Sequence, residues 1–336
     1  MRSNQAKSFG KTGATLLLAL STVFVNSFAY AQSATDFPKR PITLIVPTAP
    51  GGSADITARI IAKPLGELLS VPVVVDYRAG AGGLIGMQFT ANAQPDGYTI
   101  ALGTASGLTS NPLTNKASKV SPLEDLTAII PLASMPGVIA VHESYPARTL
   151  ADFVKEAQAR PDHYPIGSSG TGSIGHLWAE AMNQELRINL RHIPYRGVGP
   201  ALTAALGGET QVFIDQYPSA KPHLISGKLK AIAIANDRRL GDFPNLPTLK
   251  EAGYEELNAV MSTWFGIVGP AQMPDDLVQK LNASLKAVLT DPKVVKQLSE
   301  LGAEPIPAEP SVLTKMIADG LSRNQDFIQR GNLKFE

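Results

Sequence analysis

Cysteine is absent from the 336 residues. No disulfide framework can brace the fold, so apolar burial must hold it. A chain of this length can bury most of its apolar surface, as two domains. The five histidines (His142, His163, His176, His192, His223) are scattered, with no H-x-x-x-H pair and no cysteine partner. Neither a metal nor another cofactor is therefore expected. A G-x-S-x-G nucleophile elbow is missing too, because Gly167-Ser168-Ser169-Gly170 has the wrong spacing. Charge of one sign is not in excess: 30 basic residues face 29 acidic ones. Nucleic acid or an anionic membrane surface as partner would call for basic excess.

Long apolar runs are lacking apart from one. It spans about Ala14 to Phe28, follows a basic start (Arg2, Lys7, Lys11) and ends in Ala29-Tyr30-Ala31. That is the order of a cleaved secretory signal. The run falls short of the ~20 residues that a membrane-spanning helix needs. Cleavage near Ala31 is expected; it removes three bases and no acid, leaving 27 Lys and Arg against 29 Asp and Glu. With no cysteine to carry a lipid, the exported chain is expected to be free in a periplasm.

The most informative stretch present is ITLIVPTAPGGSADITAR, residues 42–59. An apolar run (Ile42, Leu44, Ile45, Val46) meets Pro47 and a Pro/Gly/Ser turn. Helical apolar spacing (Ile56, Ile60, Ile61) follows. This predicts a buried strand, a tight turn and a helix with Ser53 at its N-cap. The first N–H groups of such a helix have no partner within it, and its dipole makes that end electropositive. It therefore suits a carboxylate or phosphate without any Lys or Arg. A plain strand-to-helix turn with no ligand is the alternative reading. Pro64 predicts a kink or early break in that helix.

Further strands are expected over Pro72–Arg78 and Tyr98–Gly103, and two apolar runs, Thr127–Ala133 and Gly137–His142, broken at Pro136-Gly137, read as the first crossing between domains. The Gly80–Gly83 turn reads as close packing, or as a second ligand loop. Residues 104–122 are polar and aperiodic and read as a loop, from which Thr104, Ser106 and Asn111 either reach a cleft or remain solvated. Thr149–Arg160 is expected to be a helix with a T-x-x-D start. Strand–helix alternation continues through Tyr164–Gly167, Asn189–Tyr195, Gln211–Ile214 and Leu229–Ala235, and the tail from Pro274 is helical. Such alternation argues for parallel sheets in an α/β protein.

A second Ser/Gly/Thr turn, residues 168–173, opens a helix. Two such turns, one per domain, can face each other and grip a small anion. Ser53, Ser168, Ser169 and Thr171 add hydroxyl donors. Gly170 to Gly175 matches G-x-G-x-x-G, but the strand that follows has no acid for a ribose, which speaks against a dinucleotide. His176 reads as a structural imidazole rather than a ligand group. Asp215, at a strand end, either orients a water or ligand group or caps a turn. Asp55 reads as structural, since its charge would repel an anion.

These blocks resemble the Bug family, the periplasmic receptors of tripartite tricarboxylate transporters. The resemblance rests on PTAPGGSADITAR (47–59), YRAGAGGLIG (77–86), PDGYTI (95–100) and SSGTGSIGHL (168–177). IPYRGVGPALTAALGG (193–208), FPNLPTLKEAGY (243–254) and STWFGIVGPAQMP (262–274) complete it. It implies a Venus flytrap like the type II periplasmic binding proteins, of two α/β domains with parallel-rich sheets and two crossovers. The first domain would be residues 32–135 with 256–336, and the second 136–255. It further implies a binding protein, not an enzyme, that grips a carboxylate with the two loops and hands it to transporter membrane subunits. The implied site is Thr48, Ala49, Gly51, Gly52, Ser53, Ser168, Ser169, Thr171 and Gly172, joined by Thr104, Ser106 and Asp215. Where the family usually carries an aromatic, this chain has Thr48, so one pocket wall is smaller and more polar. A monomer is expected. A sensor kinase as partner, and an exported enzyme acting on an anionic substrate, are the alternatives.

Overall fold

The computed structural model describes residues 37–333 and 335; the expected signal segment and its cleavage point lie outside them. The chain opens with β1 (Ile42–Val46), α1 (Ser53–Leu69), β2 (Val73–Tyr77), a 3-10 turn at Ala81–Gly83, α2 (Leu84–Ala91) and β3 (Thr99–Thr104). A π turn at Ser106–Ser110 runs into α3 (Asn111–Thr114), and β4 (Leu126–Met135) follows. The second part holds β5 (Gly137–His142), α4 (Leu150–Ala159), β6 (Pro165–Ser168), α5 (Ile174–Glu185), β7 (Arg191–Pro194) and α6 (Val198–Leu206). It continues with β8 (Val212–Gln216), α7 (Tyr217–Ile225), β9 (Leu229–Ala235) and α8 (Glu255–Met261). The chain then returns through β10 (Thr263–Pro270), α9 (Asp275–Thr290), α10 (Pro292–Glu300), β11 (Glu304–Pro305) and α11 (Pro310–Arg330).

These strands form two sheets, ordered β11-β4-β10-β3-β1-β2 and β7-β6-β8-β5-β9. Ile42, Leu44, Ile45 and Val46 are fully buried in β1, which lies between β2 and β3 and runs parallel to both. A near-continuous apolar run is what a strand covered on both faces requires. The second sheet is built likewise on β6, parallel to β7 and β8. The alternation of strands and helices predicted parallel pairing, but the sheets are mixed. β10 runs antiparallel to β3 and β4, and β5 antiparallel to β8 and β9. The antiparallel strands include those that carry the chain between sheets. β5 arrives directly from β4 across Pro136, with no crossover helix to set it parallel.

Each sheet has its own core, with Leu44, Ile61, Phe265 and Leu281 in the first and Ile139, Phe153, Ile166 and Trp178 in the second. Leu257 and Met261 of α8 pack into the second core. Helix α11 serves both: Leu313 and Ile317 pack with Val268, and Phe327 with the second core.

Three local expectations give way. Gly52, not Ser53, is the N-cap of α1, and Ser53 is its first residue. Pro64 does not break that helix, which continues to Leu69 with Ala54, Ala58, Ile61, Ala62 and Leu65 buried. Burial of this face offsets the one helical hydrogen bond that proline forfeits. Residues 106–114 are helical rather than loop. Their hydroxyls bond back to carbonyls one turn earlier, Thr109 to Ala105 and Thr114 to Ser110, so a polar segment has no need of water for those groups.

The T-x-x-D start of α4 is as expected, with Thr149 Oγ1 accepting the Asp152 N–H at 3.1 Å. Thr149→Ala should lower unfolding free energy by about 1 kcal/mol, as loss of an N-cap does, measured by urea titration.

Candidate functional site

The first loop carries the chain from buried β1 to α1. Thr48 is half-buried, Ala49 and Gly51 are exposed, Gly52 is half-buried and Ser53 buried. Gly51 has a φ of +93°, which glycine adopts at little cost. Neither Gly51 nor Gly52 has an atom within 4 Å of where a Cβ would stand, so both border open space rather than packed protein. Asp55 braces the loop from inside α1. It accepts from Gly51 N at 2.8 Å, Arg59 Nε at 2.7 Å and the Tyr77 hydroxyl at 2.5 Å. Burial pushes its pKa up, but the bonds from Tyr77, Gly51 and Arg59 outweigh that and hold the carboxyl below its ordinary value. Asp55 is thus the structural residue that the sequence suggested.

The mouth of α1 is left bare. Its first internal bond runs from Ile56 N to Gly52 O, and no side chain caps it. Among the described residues, the N–H groups of Ser53, Ala54 and Asp55 have no partner. The hydroxyls of Thr48 and Ser53 are buried without one. Buried polar groups are almost always paired, and what sets these two hydroxyls apart from the other unpaired ones is the row of unpartnered N–H groups beside them.

The second mouth differs. Ser173 caps α5 by accepting the His176 N–H at 3.2 Å. Gly172 N donates to His176 Nδ1 at 3.0 Å. Ser168 Oγ accepts from Gly170 N at 3.2 Å and lies 2.5 Å from His192 Nε2. Ser169 and Thr171 keep hydroxyls with no partner among the described residues, and Thr171 is exposed. The second loop is therefore largely satisfied by its own lobe.

Residues 104–114 reach the second loop and the Gly80–Gly83 turn. Ser106 Oγ accepts the Ile174 N–H at 3.4 Å, and Thr114 Oγ1 donates to Gly172 O at 2.8 Å. Asn111 Nδ2 donates to Gly82 O and, at 3.3 Å, to Ser106 Oγ. Thr104 is buried and accepts from Gly107 N at 3.1 Å. The Gly80–Gly83 turn is a packing feature: a Cβ on Gly82 would stand 2.3 Å from the Asn111 amide, and one on Gly86 would stand 2.8 Å from Pro47. Two surface depressions, of about 770 and 600 Å3, include none of the loop residues and lie along α1–β2 and beside α6.

Asp215 is the penultimate residue of β8, near the crossing at Pro136 and in register with Val138. It accepts from Ser219 Oγ, in the first turn of α7. Burial pushes its pKa up to about 6, against the opposing pull of bonds from Ser219 and the Gln216 backbone. Of the two readings open from sequence, its contacts favour the turn cap.

The paired imidazoles of His176 and His192 are what the sequence hid most. They stack 3.8 Å apart and 8° from parallel, although 16 positions separate them. Only the crossing of α5 over β6 and β7 brings them together. The Ser168–His192 contact is also a nucleophile-and-base pairing that the sequence did not reveal. Ser168, however, is 2% exposed.

Two α/β lobes, each built on its own sheet and joined by crossing strands, define the periplasmic-binding-protein class. The chain belongs to the tripartite tricarboxylate transporter family of receptors, whose family model matches residues 57–333. It is 35% identical to protein BugT of Bordetella pertussis over 96% of this chain and 99% of that protein. Among solved structures it is similar to R. palustris Rpa4515 with adipate, at 31% identity and TM-score 0.84, covering 89% of this chain and 99% of that one. MatC from Rhodopseudomonas palustris with bound malate is similar at 30% identity and TM-score 0.80, covering 87% and 100%.

Asp215 binds its proton more tightly when folded than the ordinary value of 3.8 allows. The folded state therefore holds more protons between about pH 4 and about pH 6, and stability falls as pH rises through that window. Asp215→Asn should be more stable than the parent near pH 7, by up to about 3 kcal/mol, and should show no such gain near pH 4. Urea titrations at the two pH values check it.

Proposed function

We propose that the chain is an extracytoplasmic receptor that closes on a small carboxylate and delivers it to the membrane subunits of a tripartite tricarboxylate transporter. The bare mouth of α1 carries this reading. Three unpartnered N–H groups and two buried, unpartnered hydroxyls converge on one loop, where the helix dipole favours negative charge. Arg59, one turn along, is already engaged by Asp55 and Tyr77. The acid group is thus held by main-chain amides and hydroxyls rather than by a fixed cation. Thr48, Ala49, Gly51, Gly52 and Ser53 form the principal half of the site. Ser169 and Thr171 meet the ligand from the other lobe. Ser168, Gly172, Thr104 and Ser106 shape the loops, and Asp215 stands behind them.

The lobes in this reading are residues 32–135 with 256–336, and 136–255. The receptor acts as a monomer in the periplasm after cleavage near Ala31. Closure couples ligand to partner, because only the closed form presents both lobes in a fixed relation. The relatives solved with adipate and malate make small dicarboxylates the first ligands to try. A sensor kinase could read the same closed form. Turnover is disfavoured, since the serine of the Ser168–His192 pair is almost wholly buried.

Thermal shift with adipate, malate and tricarboxylates tests the proposal. A ligand at about a hundred times its Kd stabilises by about 2.7 kcal/mol. Absence of a shift with every carboxylate, or a liganded structure with the acid clasped by Lys or Arg, overturns it. Gly52→Ala separates binding from folding. Gly52 has φ −90° and ψ 175°, which alanine adopts freely, and open space lies around its Cβ position. The poorer N-cap and the stiffer unfolded chain act in opposite directions, so its unfolding free energy should change by no more than about 1 kcal/mol while affinity falls. Ser53→Ala and Thr171→Ala should each weaken binding by about 1 kcal/mol, more against a charged partner, as read by calorimetry.

A further inference from the structure

The second loop is held by an unusual device. His176, in the first turn of α5, accepts the Gly172 N–H at Nδ1 over 3.0 Å. An accepting Nδ1 carries no proton, so this imidazole is the neutral tautomer with its hydrogen on Nε2. That nitrogen lies 3.7 Å from Glu180 Oε1, one turn further along α5. His192, on β7, stacks on it at 3.8 Å and places Nε2 2.5 Å from Ser168 Oγ. Ser168 in turn holds Gly170 N. The two rings therefore pin both ends of the segment from Ser168 to Gly172, leaving the Ser169 and Thr171 hydroxyls unengaged between them.

We propose that His176 and His192 are positioning residues: stacked, uncharged imidazoles that clamp Gly172 and Ser168 so that Ser169 and Thr171 face the ligand, and that release the loop in acid. This rests on the receptor reading of the site. A proton added to His176 Nδ1 would point at the Gly172 N–H, setting donor against donor. A second proton on His192 would place two cations on rings in face-to-face contact, which repel strongly. Among the described residues, the titratable groups in contact with the pair are Glu180 and the two rings themselves, while Phe335 meets His176 edge-on. Burial lowers His176 to about 4, and burial with the charge of His176 lowers His192 to about 4. Burial raises Glu180, against a bond from Asn183. A neutral pair at neutral pH agrees with the contacts.

Two variants of the purified protein test this. His176→Asn offers a side-chain oxygen where Nδ1 stood and does not titrate; His176→Leu offers nothing. Amide exchange protection of Gly172, read by NMR, should be high in the parent near pH 7 and lost near pH 4. It should persist at both in His176→Asn and be missing at both in His176→Leu. Binding of adipate and malate, as probes, is compared between parent and His176→Asn, which shares the titration of the probe itself. The parent's affinity should fall by a further factor of about ten in acid, as loss of one well-placed hydrogen bond implies. Equal Gly172 protection in parent and His176→Leu, or a ratio of affinities that does not change with pH, overturns the proposal. Should neither probe nor any other carboxylate bind the parent, the receptor reading fails, and the exchange measurements still decide the clamp. Should His176→Leu not fold, the acid response of Gly172 in the parent against His176→Asn decides it.

Discussion

A helix cannot satisfy its own first N–H groups, and a strand ending inside a protein must hand the chain on within a few residues. Where β1 meets α1 these two facts coincide. Asp55 takes the Gly51 N–H, and through Tyr77 and Arg59 it ties the loop to the neighbouring strand. The next three N–H groups are left over, with two buried hydroxyls beside them. A solitary surface turn would leave such groups to water. Here the two hydroxyls are buried with no partner in the chain.

The two mouths share a plan but not a job. The mouth of α5 consumes most of its donors internally: Ser173 caps, His176 takes Gly172, and Ser168 takes Gly170. It is a rigid counterface. The mouth of α1 keeps its donors unspent. Ser106 and Thr114 reach across to Ile174 and Gly172, so hydrogen bonds tie the second loop to the segment that follows β3. Such bonds are individually modest.

Much of this was legible along the chain. The buried run of Ile42 to Val46, the Pro/Gly/Ser turn and the apolar spacing after it each point to a strand, a loop and a helix at the right places. Thr149 and Asp152 announced the start of α4. Ser53 misled as an N-cap because serine suits both the cap and the first helical turn, and only backbone angles separate them. Pro64 misled because a local rule does not count the buried face that the rest of α1 supplies. The antiparallel strands were invisible in the alternation, since strand direction depends on how a crossing segment arrives.

By itself, then, the sequence determined the succession of strands and helices, the two glycine-bearing mouths and the absence of any disulfide or cysteine metal site, because these follow from neighbours in the chain. Tertiary structure alone decided that His176 lies on His192, that Asn111 holds Gly82, and that one mouth is spent while the other is open. Those outcomes join residues dozens of positions apart or on different elements. No local pattern encodes which donor finds which acceptor until packing has brought them within hydrogen-bond reach.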